Sequence, residues 1–142
     1  MCLSILNTWS GDQWSACQTL RSVLLTLQTT LNEKPLLNEP GVDEKLHNGT
    51  IMKYNKMIRF KTLEFTILHY LENNSKIPIQ IPTIIEKMNE YYEENKKDIL
   101  KNALELKKSS KPESLYTQMY DMKMHLNYDD LYKRLKTFIN KN

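Results

Sequence analysis

The sequence predicts a mainly α-helical protein, with four or five helices after a short non-helical start. Two observations carry this. Apolar residues recur every three to four positions in several separate stretches, the spacing that lines one face of a helix. Alternation of apolar and polar residues, the mark of a half-buried strand, is almost absent. The 142 residues include only 3 Gly and 5 Pro, so the chain is neither collagen-like nor of low complexity. With 40% apolar and 26% charged residues, composition is that of an ordinary globular chain. A chain of this length can bury a real core, and one domain is the first expectation.

The elements follow in order. Residues 15–31 predict a helix, because Leu20, Val23, Leu24, Leu27 and Leu31 form one stripe. Ser15 and Gln18 have capping-box spacing, and Thr19 is a second candidate N-cap. The stretch ends at Asn32-Glu33-Lys34-Pro35, since Pro35 has no amide hydrogen and disfavours helix in its predecessor. Residues 33–49 read as a loop punctuated by Pro35, Pro40, Gly41 and Gly49. A loop of that length is usually functional or pinned by its own contacts. Residues 51–72 predict a second helix, with Tyr54, Met57, Ile58, Phe65 and Leu68 in one stripe and Phe60, Ile67 and Leu71 beside it. Ile77-Pro78-Ile79-Gln80-Ile81-Pro82 is extended or loop, because of its prolines. Residues 83–108 predict a long charged helix with a narrow stripe of Ile85, Met88, Tyr92, Ile99, Ala103 and Leu106. After the break at residues 107–112, Leu115, Met119, Met122 and Leu126 suggest a short helix. A last helix follows Asn127, with Tyr128, Leu131, Tyr132, Leu135, Phe138 and Ile139 on one face.

Charge and composition exclude several function classes. The net charge of +3 is too mild to argue for a nucleic-acid partner. Residues 1–50 carry 3 basic and 5 acidic side chains and residues 51–142 carry 17 and 12, which reads as Lys-rich, solvated helix faces. No run approaches the ~18 apolar residues of a membrane span, and no basic segment leads into an apolar run at the start, so neither membrane nor secretion is expected. Cys2 and Cys17 do not make a disulfide framework, so reduced thiols in an intracellular, cytoplasmic setting are the expectation. His47, His69 and His125 lie far apart with no partner at ligand spacing, and nothing among the three glycines resembles a phosphate-binding loop. No metal or cofactor is expected. Cys17 is read as a small buried hydrophobe, Trp9 and Trp14 as packing anchors, and Met119, Met122 and Met124 as core filler.

The opening residues are the exception to the helical pattern, and they carry a resemblance. Cys2-Leu3-Ser4-Ile5-Leu6-Asn7-Thr8-Trp9-Ser10-Gly11 resembles the active-site segment of ubiquitin-conjugating enzymes. Trp14-Ser15 and the Leu-rich helix after it resemble the stretch that follows, and Asn38-Glu39-Pro40-Gly41 with Tyr54-Asn55 extend the match. The spaced tryptophans and the Asn-Glu-Pro-Gly loop look most like the large-enzyme branch of that family. The resemblance covers residues 2 to about 72 and reaches toward 106; residues 107–142 carry only a helical pattern.

That resemblance implies the C-terminal helical half of an α+β ubiquitin-conjugating domain over residues 1–106, with a helical extension over 107–142. It implies that Cys2 accepts ubiquitin as a thioester from an activating enzyme and passes it to a substrate lysine, with a ligase holding both parties. Glu39 matches an acidic position near the family's active site, where a carboxylate can orient the incoming lysine and help remove its proton. Ser15 and Ala16 match the loop that meets ligases, although the family usually has proline at the Ala16 position. In the family, about half the domain precedes the cysteine. That half brings an N-terminal helix, a four-stranded sheet and a His-Pro-Asn motif whose asparagine stabilises the oxyanion. These are absent from the sequence, in which Met1 directly precedes Cys2. Losing one oxyanion donor typically costs ~10²–10³ in rate. The expectation is therefore a transferase that is truncated, or recorded from an internal methionine, or inactive on its own. The alternative is a non-catalytic helical interaction module that binds ubiquitin, a ligase or another conjugating enzyme, and self-associates through apolar helix faces left uncovered.

Overall fold

A computed structural model describes residues 4–8, 10–69, 72 and 81–141. It divides into two compact units, Met1–Asn55 and Lys56–Asn142. Among the described residues helix dominates, as the periodicity predicts, with one two-stranded sheet.

In the first unit a 3-10 turn at Ser4–Leu6 precedes helix α1, Leu20–Thr30. The start of α1 falls later than the expected residue 15 because the cap is Thr19. Its hydroxyl accepts the Ser22 amide at 3.2 Å, and the Ser22 hydroxyl accepts the Thr19 amide at 2.8 Å. Two orphan donors are thus satisfied reciprocally. The Leu stripe is present but fully buries no residue; Leu20 is 73% exposed and Leu31 78%. A second 3-10 turn, Pro35–Asn38, buries Leu36. Helix α2, Glu44–Lys61, then begins seven residues ahead of its expected start at 51. The sequence reading overlooked Asp43, whose Oδ1 accepts the Lys45 and Leu46 amides, both at 2.9 Å, and so caps the helix. Gly49 lies inside α2 rather than ending a loop.

In the second unit α2 runs on into a π-helical stretch, Thr62–His69. Helix α3, Pro82–Ser109, carries proline at its first position, where a missing amide hydrogen costs nothing. Lys107 and Lys108 sit in its last turn, favourably placed against the helix dipole. The short helix expected from Leu115, Met119, Met122 and Leu126 is instead a β-hairpin. Strand β1, Glu113–Thr117, pairs antiparallel with β2, Met122–Leu126, in the register Leu115 to Met124. Along each strand burial alternates, so the inward residues compete for a period of two rather than 3.6. Helix α4, Tyr128–Lys141, starts behind Asn127, whose Oδ1 accepts the Asp130 amide at 3.1 Å.

The buried cluster of this unit joins Met57, Phe60, Leu63, Leu68, Ala103, Leu106, Leu126, Tyr128, Leu131 and Leu135. Phe60 and Tyr128 meet edge to face, with ring centres 5.1 Å apart. Met122 and Met124 pack against the cluster as the filler expected of them. Residues beyond 106 therefore supply part of the core itself. Among the described residues, no helix is long and apolar enough to cross a membrane.

Candidate functional site

Cys2 and Trp9 lie outside the described residues. The chain that follows Cys2 is closed into a loop by its own side chains. Asn7 takes a left-handed conformation (φ 55°), and its amide donates to the Ser4 carbonyl at 2.8 Å. The Asn7 Oδ1 accepts the Trp14 amide through a long bond of 3.4 Å. Gly11 has φ 133°, and a Cβ there would stand 3.1 Å from the Ser4 Cβ. Both the backbone angle and the close approach suit glycine at this position. Two expectations are corrected in this segment. Trp14 is 48% exposed rather than a packing anchor, and Cys17 is an exposed free thiol rather than a buried hydrophobe. Both stand ahead of the first turn of α1.

Ser15 and Ala16 are exposed in such a turn, with the Gln18 amide donating to the Ser15 carbonyl at 3.0 Å. Glu39 stands elsewhere in the same unit, at the end of the Pro35–Asn38 turn. Its amide donates to the Leu36 carbonyl at 3.1 Å, and its carbonyl accepts the Val42 amide at 3.3 Å. Gly41, at φ 77°, lets the chain reverse there. Glu39 is half-buried, and its negative charge reaches Tyr54 on α2. Burial, and then the Glu39 charge, push the Tyr54 phenol above its ordinary value of 10.0.

The turn that carries Glu39 is braced at several points. The Asn38 amide donates to the Thr30 carbonyl at 2.9 Å, at the end of α1. Asn32 donates to the Asn38 Oδ1 at 3.3 Å and accepts the Lys34 amide at 2.9 Å. Asn55 on α2 donates to the Glu33 carbonyl at 2.8 Å, and Lys34 pairs with Glu44. The expectation that this loop would be pinned by its own contacts describes it well. The sequence reading did not find Asn7 or the bracing role of Asn55. The left-handed angle at Asn7 had a weak signal, since asparagine tolerates that region. Asn55 had none, because its partner lies 22 residues away. Among the described residues no group of three or more His, Cys, Asp or Glu could hold a metal.

The short loop, the Leu helix and the acidic turn follow one another along the chain. The chain is a relative of the ubiquitin-conjugating enzymes, and its mainly helical architecture is consistent with the C-terminal half of their domain. It is 31% identical over 137 residues to ubiquitin-conjugating enzyme E2 Z of Xenopus tropicalis, covering 96% of this chain and 42% of that protein. It is 38% identical over 94 residues to E2 Z of Danio rerio, covering 66% of this chain and 29% of that one. Human E2 Z is 31% identical over 136 residues, covering 95% and 37%. The chain thus spans well under half the length of these curated relatives. The similarity also runs on into residues 107–142, past the point where the motifs read from the sequence ended. No protein-family model matches the chain.

Proposed function

We propose that this chain is the thioester-bearing part of a ubiquitin-conjugating transferase. The single observation that supports this best is the similarity to E2 Z over nearly the whole chain. In this reading the Cys2 thiolate attacks the ubiquitin thioester carbonyl on an activating enzyme. A new C–S bond forms, the old one breaks, and the activating enzyme's thiolate leaves. A substrate lysine amine then attacks the carbonyl on Cys2, an amide forms, the Cys2 sulfur departs, and the nitrogen gives up its proton. A thiolate suits both steps, as a good nucleophile and a good leaving group. Glu39 orients the lysine and favours loss of its proton. Ser15 and Ala16, exposed in their turn, meet the ligase. Residues 1–106 form the part of the conjugating domain present, and 107–142 complete the core of the second unit. The setting is intracellular and cytoplasmic, where thiols stay reduced.

The test is a charging reaction with ubiquitin, an activating enzyme and ATP, resolved on gels with and without reductant. A reductant-sensitive adduct that survives Cys17→Ala and disappears in Cys2→Ala is expected. An adduct that persists in Cys2→Ala ends this reading.

A second reading rests on a different observation, the exposed Leu stripe of α1. In it the chain binds ubiquitin, a ligase or a conjugating enzyme, or a second copy of itself, without chemistry. It expects concentration-dependent association in sedimentation that Cys2→Ala leaves unchanged and Leu24→Ser weakens. A chain that stays monomeric and retains neither ubiquitin nor a conjugating enzyme would count against it.

A further inference from the structure

The role given to Glu39 depends on where its carboxylate stands, and the turn that carries it has no regular helix or sheet to hold it. We propose that Asn55 is a positioning residue, whose side-chain amide ties the Glu33 carbonyl to α2 and thereby holds Glu39 beside Tyr54. This rests on the reading of Glu39 given above and deepens it.

The geometry points to a single job for this side chain. The Nδ2 of Asn55 donates to the Glu33 carbonyl at 2.8 Å across a 22-residue gap in sequence. Its Oδ1 is buried and finds no partner among the described residues. An unpaired buried oxygen is destabilising. Asparagine is also a poorer helix former than alanine or leucine. Neither the oxygen nor the helix explains asparagine at this place; the bond to Glu33 does. Tyr54, the residue before, is half-buried on α2, and Glu39 is the charge acting on it. The tether and the phenol are adjacent on one helix, and the Glu33 carbonyl it holds stands at the start of the turn that ends in Glu39. Two further braces act on the same turn and share the load: Asn38, next to Glu39, bonds to the end of α1, and Lys34, next to Glu33, pairs with Glu44.

The experiment follows the Tyr54 phenol by NMR of ring-labelled tyrosine in the full chain, with Tyr54→Phe to assign the signal among the 8 tyrosines. Glu39→Gln removes the neighbouring charge and should lower the Tyr54 titration toward the ordinary phenol range. Asn55→Leu, close in volume and a good helix former, removes the donor together with the unpaired Oδ1. It should lower the Tyr54 titration by at least half as much as Glu39→Gln does. Adding Glu39→Gln to Asn55→Leu should then lower it by less than Glu39→Gln does alone. A Tyr54 titration unchanged in Asn55→Leu, in a chain of unchanged helicity, overturns the proposal. Should Asn55→Leu lose helicity, Asn55→Ala is read by the same criterion. The readout needs no ubiquitin, so its failure is distinct from failure of the transferase reading, which shows as no adduct on Cys2 in the unmodified chain.

Discussion

Asp129 holds two lysines at once. Its Oδ1 lies 2.7 Å from Lys107 Nζ and its Oδ2 2.5 Å from Lys133 Nζ. The Lys107 ammonium also stands 5.0 Å from the centre of the Tyr132 ring. Hydrogen bonds from Lys107 and then Lys133 hold the Asp129 carboxyl below its ordinary value of 3.8, and the bond to Asp129 holds Lys133 above 10.5. A carboxyl depressed on folding stabilises the fold above its ordinary titration range, and the contribution disappears as pH falls through the depressed value. The lysine contribution runs the other way and is lost as pH rises through the elevated value. The pair thus acts across the neutral range and fails at both ends. Thermal unfolding as a function of pH should show a shallower acid limb in Asp129→Asn than in the unmodified chain. An unchanged slope below the carboxylate range would mean the network is too exposed to matter, as surface pairs often are.

The start of α2 offers the clearest test of a single element. Asp43 satisfies two amides that would otherwise face water unpaired, so Asp43→Ala should lower stability by about 1 kcal/mol in urea unfolding. The same residue shows what a one-dimensional reading misses. Gly49 and the preceding Pro40-Gly41 suggested a loop to residue 49, yet a good cap three residues past Pro40 outweighed one glycine in the helix. The α3 and α4 helices were legible because their stripes recur over many turns. The hairpin was not. Leu115, Met119, Met122 and Leu126 keep helical spacing by count, while Ser114, Tyr116, Lys123 and His125 form the exposed face of a sheet. Its turn also hides the usual signal, because Tyr120 and Asp121 take positive φ with no glycine. For the candidate site, Cys2, Glu39, Ser15 and Ala16 became visible through resemblance, and the last three lie in irregular chain. Periodicity has nothing to say there, and the brace at Asn55 depends on a contact distant in sequence.

At the scale of the molecule, the two units differ in how much they bury. The second seals ten side chains in one cluster, whereas the described part of the first buries Leu36 and Ile51. Leu135, fully enclosed, should cost about 2–5 kcal/mol when cut to alanine. Leu31→Ala, at the exposed C-cap of α1, should change stability by no more than about 0.5 kcal/mol. Hydrogen exchange checks the same contrast without mutation: amides of α4 and the hairpin should outlast those of α1. Equal protection in α1 and α4 would mean that something covers the Leu stripe in solution.

The length of α3 has a mechanical consequence. Its 28 residues make a rod ~42 Å long. Ala103 and Leu106 are fully buried, and Ile99 and Leu100 pack beside them, all toward one end. The stretch ahead of Ile99 extends ~25 Å from that anchorage, with Tyr91 two-thirds exposed along it. The helix thus offers a built-in ruler. A spin label at Tyr91 would ride ~18 Å along the axis from Ala103. Any bending of the rod would be magnified at its proline end.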